Sequence, residues 1–188
     1  MLKSFLVGSL CLMSQAVSAW QLNNELSDLS FTSIKLNSIA ENHHFTSLSG
    51  EINDAGQLSI DIDLSSIESL IPIRNERMKK VLFEVSQYQT ASIDANIKPW
   101  LSQLTTGPQV LKAVPVTLNL HGKSLVLKLD LMVNKQVKTI QVSPLRAVLI
   151  NSHDFALTDG IEALRKLAGL SSIASTVPVT FNLVFHDK

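Results

Sequence analysis

The chain has 188 residues, 16 Lys and Arg against 16 Asp and Glu, 45% apolar residues and a single cysteine. That length suits one domain with a substantial core, and the balanced charge offers no basic stripe for nucleic acid to recognise. With Cys11 alone, no disulfide framework is available, so packing must hold the fold.

Residues 1–19 read as a cleaved secretory signal: one cation at Lys3, an apolar run from Phe5 to Met13, and small residues at Val17-Ser18-Ala19. The run falls short of the ~20 apolar residues that span a bilayer. Leu10 stands before Cys11, where a lipoprotein signal carries a small residue, which argues against acylation. Trp20 then opens a mature chain, 20–188, that lacks cysteine and any further run long enough to cross a membrane.

Strand patterns dominate the rest. Leu29–Leu36 predicts a strand, and His43–Ile52 a second, followed by the turn signal Asn53-Asp54-Ala55-Gly56. In LSIDIDL, Leu58, Ile60, Ile62 and Leu64 alternate with Ser59, Asp61 and Asp63, so the aliphatics share one face and the carboxylates the solvated one. TASIDANI aligns Ala91, Ile93, Ala95 and Ile97; VPVTLNL aligns Val116, Leu118 and Leu120. A turn at His121-Gly122-Lys123 leads into Leu125, Leu127, Leu129 and Leu131. Residues 136–150 form one strand or two, because Pro144 has no N–H for the ladder. Val179, Phe181, Leu183 and Phe185 align in the last strand.

Two segments switch to helical spacing. NERMKKVLF sets Met78, Val81 and Leu82 on one face, with Asn75 as a candidate cap and Glu76–Lys80 as an i,i+4 pair. LTDGIEALRKLAGL carries Asp159 and Glu162 as a capping box, a stripe of Ile161, Leu164 and Ala168, and Gly169 as the terminator. About eight strands and two short helices describe an antiparallel barrel or sandwich, and closure would remove exposed edges.

Little points to catalysis. No G-x-S-x-G elbow, H-E-x-x-H or phosphate-cradling Gly loop is present. His43 and His44 would face opposite sides of a strand and share no metal. His121 sits in a turn, and His153-Asp154 has no neighbouring nucleophile. Arg74, Arg77, Lys79 and Lys80 form a cluster suited to an anionic head group, or to plain solvation of a helix face. Met78 and Leu82, with Leu164 and Leu167, either line a tunnel or plug a barrel end, since both need apolar stripes.

SGEINDAGQLSIDIDLSSIESLIPIRNERMKKVLFE resembles the YceI family of secreted, polyisoprenoid-binding-like proteins, through Gly50, Ile52, Gly56, Ser66, Ile67, Arg74, Asn75, Met78 and Phe83. Leu118, Leu120, His121 and Gly122 match the family's strand-and-turn. Asp154, Phe155, Gly169, Leu170, Val177 and Val179 match its C-terminal segment. The chain departs from the family where Ala156 follows the Asp-Phe pair in place of the usual Gly, and where residues 99–109 form an insertion-like stretch.

The resemblance implies an all-β fold, an extended eight-stranded antiparallel lipocalin-like barrel with one or two short helices. It also implies a periplasmic address and an apolar tunnel for an isoprenoid chain, a polyprenyl phosphate or the tail of a quinone. Eight-stranded barrels hold one small ligand inside. Strand alternation, with the helical stripes, then assigns the lining to Phe31, Phe45, Leu58, Ile60, Ile62, Met78, Leu82, Phe83, Ile93, Leu118, Leu127, Leu129, Leu164, Leu167, Phe181 and Leu183. Arg74, Asn75 and Arg77 are the candidate head-group contacts. The expected partner is an isoprenoid or other long-chain lipid, with a homodimer left open. No catalytic residue, metal or cofactor beyond a bound lipid is expected. Two alternatives stand beside this carrier: an accessory protein with a side-chain-filled barrel, and an enzyme using His121 or His153-Asp154 on an isoprenoid or quinone head group.

Overall fold

The computed structural model describes residues 18–187; residues 1–17 of the expected leader lie outside them. The strands are β1 (Ser18–Leu22), β2 (Asp28–Lys35), β3 (Ile39–Phe45), β4 (Leu48–Asn53), β5 (Gln57–Asp63), β6 (Ile67–Glu68), β7 (Thr90–Asn96), β8 (Gly107–Leu120), β9 (Lys123–Lys135), β10 (Thr139–Pro144), β11 (Val148–Asn151) and β12 (Thr176–Asp187). Helix α1 (Pro72–Arg77) runs into a π-helical turn (Met78–Leu82); α2 (Lys98–Leu101) and α3 (Thr158–Leu167) follow.

Eight strands form a closed antiparallel ring in the order β1-β4-β5-β7-β8-β9-β10-β12. Closure is made by β1 against β12, with Trp20 opposite Asp187 and Leu22 opposite Phe185. The first half of β12 runs on past the ring, pairing β11 on one side and β2 on the other. From β2 the sheet continues through β3 to β6. The barrel is therefore tall, and several of its strands are broken partway up: β1 from β2, β3 from β4, β5 from β6 and β10 from β11.

The breaks have local causes. Pro144 is the last residue of β10 to pair, and it supplies no N–H to carry the ladder on. At the other breaks, side chains take over backbone groups that the interrupted ladder leaves unpaired. Asn24 accepts from the Leu48 amide at 2.6 Å and donates to the Thr46 carbonyl at 3.0 Å. Ser66 Oγ accepts from the Ser47 amide at 3.1 Å, and Asp63 caps Ser65 at 2.8 Å. The sequence pattern predicts one strand across His43–Ile52, whereas the structure splits it at Thr46-Ser47. β1 was not expected, and β8 begins at Gly107, inside the stretch read as an insertion.

The turns follow the sequence. Gly56 adopts φ +76° and its amide bonds the Asn53 carbonyl at 2.8 Å, closing the β4–β5 hairpin. Gly169 terminates α3 at φ +64°, with the Leu170 amide reaching back to Arg165 at 3.0 Å. Helix starts differ from expectation. α1 begins at Pro72 behind Ile71, so Asn75 lies inside it and caps nothing. No side chain caps α3, and the ion pair on the first helical segment is Lys79–Glu76 at 3.4 Å, three residues apart. Among the described residues no helix is long and apolar enough to cross a membrane.

The aliphatic faces point inward. Ile60 and Ile62 of β5 are buried, as are Ala91 and Ala95 of β7, Val114 and Val116 of β8, Leu131 and Val133 of β9, and Leu183 and Phe185 of β12. The π-helical turn and α3 lie together over one end of this interior, and α2 lies at the other, with Trp100 and Leu101 packed against the core.

Candidate functional site

The barrel interior contains two apolar chambers. The larger, about 150 Å³, lies under the π-helical turn and α3 and is walled by residues such as Phe31, Phe45, Leu82, Phe83, Leu157 and Ile161. The smaller, about 80 Å³, lies toward α2, with Trp100, Leu101 and Leu104 in its wall. Ile93, Val116, Leu129 and Phe181 line both, so a single collar of side chains stands between them. The walls are aliphatic and aromatic apart from Ser152 and Ser175 in the larger chamber, and neither chamber is faced by exposed polar surface. This follows from alternation: each strand sends every second side chain inward, and in β5, β7, β8, β9 and β12 those positions are apolar.

Of the residues assigned to the lining from sequence, Phe31, Phe45, Ile62, Leu82, Phe83, Leu118 and Leu127 wall the larger chamber. Leu58, Ile60 and Leu183 wall the smaller, and Ile93, Leu129 and Phe181 wall both. Three lie elsewhere. Met78 is buried, but it packs in the core and borders neither chamber. Leu164 packs partly buried against the core, and Leu167 is 53% exposed at the end of α3. A helical stripe names a face, and only the turns of α3 nearest Leu157 and Ile161 overlie the chamber.

Several lining residues were absent from that assignment. Leu29, Val177 and Val179 share strand faces with Phe31 and Phe181, and alternation alone would have included them. Trp100, Leu101 and Leu104 carry no periodic signal, because they sit in the short α2 and the loop after it.

Three phenylalanines gather at the capped end. Phe31 and Phe45 have ring centroids 6.0 Å apart, Phe45 and Phe83 5.8 Å, and Phe31 and Phe83 6.5 Å with edge-to-face geometry. The next inward position on β3 is His43, 5.1 Å from Phe31, with Nε2 2.8 Å from the Ser33 hydroxyl. Burial, followed by the nearby Arg74 cation, pushes the His43 pKa down to about 4, so the ring is neutral at neutral pH.

Beyond His43 the wall becomes charged. Glu41 takes a hydrogen bond from Arg74 at 2.5 Å and pairs with Lys35 at 3.0 Å. Burial raises the Glu41 pKa, but the Lys35 hydrogen bond and the Arg74 charge outweigh it and hold the carboxyl below its ordinary value. Arg74 is thus engaged by Glu41. Asn75 is buried and occupied: Oδ1 accepts from the Ser69 amide at 2.9 Å and the Ser69 hydroxyl at 2.5 Å, and Nδ2 donates to Glu68 at 3.0 Å. Its role is to hold the β6–α1 loop. Arg77 is half-buried and enters no ion pair among the described residues.

The other histidines lie away from the chambers. His121 Nε2 bonds Glu84 at 2.9 Å, and its ring packs 4.2 Å from Tyr88. His153 and Asp154 are exposed in the helical turn Ser152–Phe155. That turn is anchored by the fully buried Phe155 and ends at Ala156 in the left-handed region, φ +55°.

The profile of the YceI-like domain matches residues 20–185. A solved polyisoprenoid binding domain from Saccharophagus degradans, implicated in plant cell wall breakdown, superposes with a TM-score of 0.87 at 36% identity, over 91% of this chain and 99% of that one. BcnA from Burkholderia cenocepacia shares the fold at TM-score 0.65 and 18% identity, over 87% and 98% of the two chains. A Campylobacter jejuni YCEI protein does so at 0.55 and 15%, over 78% and 84%. No curated protein matches the chain by sequence.

Proposed function

The chain belongs to the YceI-like family, and on that footing we propose that it holds an amphiphilic isoprenoid lipid, a polyprenyl phosphate or the tail of a quinone, inside the barrel. The holding serves transport, storage or sequestration in the periplasm and involves no catalysis. The observation that carries this reading is the pair of chambers that share Ile93, Val116, Leu129 and Phe181 and whose exposed walls are apolar. Such a wall discriminates by hydrophobicity: each buried CH₂ contributes about 0.8 kcal/mol before ordering costs. The 36%-identical domain described as polyisoprenoid binding supports the ligand class.

Size adds a condition. A dry cavity of ~150 Å³ lined by Leu, Ile and Phe takes a benzene, and the larger chamber has about that volume. A chain of several isoprene units therefore enters by parting the collar and the Phe31–Phe45–Phe83 group. Flexible aliphatic side chains and a barrel end closed only by short helices allow this. The same aromatic group favours a second reading, in which the rings fill the barrel and the protein acts through partners.

Native mass spectrometry of the protein purified from its own compartment, with organic extraction, separates the two. A retained species of isoprenoid mass is the expected result. A clean apo mass, with no uptake of an offered quinone or polyprenyl phosphate, would leave the filled barrel as the answer.

A further inference from the structure

The end of the barrel that covers the larger chamber displays aliphatic side chains to solvent. Leu70 is 86% exposed, and Ile71 and Ile73 stand exposed on either side of Pro72. Leu70 is held at φ +62° in the left-handed region, its amide bonded to the Glu68 carboxylate, which turns the side chain out of the fold. Two further elements reach the same end. Arg74 of α1 is bonded to Glu41 of β3, two residues from the exposed Ile39. The exposed Leu36 in the β2–β3 turn is tied through its amide to Ser172, just after α3.

Charge accompanies this patch. Residues 68–80 carry four cations, Arg74, Arg77, Lys79 and Lys80, against Glu68 and Glu76. Arg74 and Lys79 are paired, while Arg77 and Lys80 enter no ion pair among the described residues. Exposed aliphatics beside unneutralised cations match a bilayer surface, where apolar side chains enter the acyl boundary and cations meet lipid phosphates. The helical segment that presents the patch also sends Leu82 into the chamber wall.

We propose that Leu70, Ile71 and Ile73, with Arg77 and Lys80 beside them, dock this end of the barrel onto an anionic phospholipid bilayer, so that an apolar tail passes between membrane and chamber without crossing water. The inference rests on the lipid-holding reading for its purpose, while docking itself is measured separately.

The test is flotation of the purified protein with vesicles of phosphatidylethanolamine and phosphatidylglycerol, and with vesicles of phosphatidylcholine alone. The protein is expected to float with the anionic vesicles, more weakly at high salt, and to stay largely unbound with the neutral ones. Leu70→Ser with Ile73→Ser should lower the bound fraction about tenfold, the loss expected when two aliphatic side chains no longer enter the boundary. Arg77→Glu with Lys80→Glu should abolish the preference for anionic lipid. All four side chains lie at the surface or half-buried, and unchanged thermal unfolding establishes that the variants fold. Wild-type protein that never floats, or variants that float as it does, overturn the proposal. So does a dimer that the serine variant dissociates in sedimentation equilibrium without any flotation, which would give the patch to a second copy. Uptake of a polyprenol delivered in detergent keeps the two readings apart. The serine variant should take it up like wild type, and absence of uptake by both would count against the tail-holding reading while flotation still decides docking.

Discussion

Gly160 of α3 lies against the backbone of Val81 so closely that a Cβ at this position would stand 2.7 Å from the Val81 carbonyl oxygen and 3.0 Å from Leu82 Cα. That contact seats α3 on the π-helical turn and closes the barrel over the larger chamber. Helix propensity alone would favour alanine there by about 1 kcal/mol. The contact reverses the sign, because a carbonyl in a packed turn cannot yield as a side-chain tip can. Gly160→Ala is expected to destabilise by about 1–3 kcal/mol, read as a lower urea midpoint with unchanged slope. A raised midpoint would show that α3 slides freely on the turn.

Ala156 occupies a left-handed position, φ +55° and ψ +28°, after the turn that Phe155 anchors. An L-residue with a Cβ pays about 1–2 kcal/mol for that conformation, and glycine returns part of the relief through its freer unfolded chain. Ala156→Gly should therefore stabilise by about 0.5–1 kcal/mol. The side chain is exposed, so no packing is lost. A midpoint unchanged or lowered in thermal unfolding would contradict this account.

Leu129 belongs to the collar between the chambers. Leu129→Phe should narrow it and separate the two spaces. The expected outcome is at least a tenfold loss in retention of a long isoprenoid, with a short one still accepted in the larger chamber, measured by native mass spectrometry after incubation with each. Equal retention of both lengths would place the tail elsewhere.

His43 makes stability depend on pH. Its pKa is about 4 in the fold against an ordinary value of 6.5, so between these values the unfolded chain binds a proton that the folded one refuses. The stabilisation is complete above pH 6.5 and is lost as pH falls toward 4, by an amount on the order of 3 kcal/mol. Glu41, held below its ordinary carboxyl value of 4.5, gives a loss of the same sign that begins lower. His43→Gln, which keeps a polar partner for Ser33, should flatten the fall between pH 6.5 and 4.5 in urea titrations. An undiminished slope in that variant would assign it to other groups.

How much of this could be read without coordinates depended on the range of the interactions. Alternation in residues 58–64, 116–120, 125–131 and 179–185, the turn at Asn53–Gly56, the interruption at Pro144 and the terminator Gly169 are local, and each lay within a few residues of its cause. The inward faces, and through them most of the chamber wall, were legible for the same reason. Asn75 looked like a helix cap because its neighbours suggest one; its actual partners, Ser69 and Glu68, are fixed by how the loop folds back. Leu167 has the same local spacing as a lining residue and lies exposed because α3 extends beyond the chamber.

By itself, then, the sequence determined which side chains share a face, where the chain turns and that the interior is aliphatic, since these follow from backbone geometry and residue type. Only the tertiary structure decided closure and volume. Trp20–Leu22 is too short to declare itself a strand and becomes one because β4 and β12 supply its hydrogen bonds. Two chambers exist where a solid core could have stood because collar, aromatic group and helical cap meet at distances no local pattern encodes.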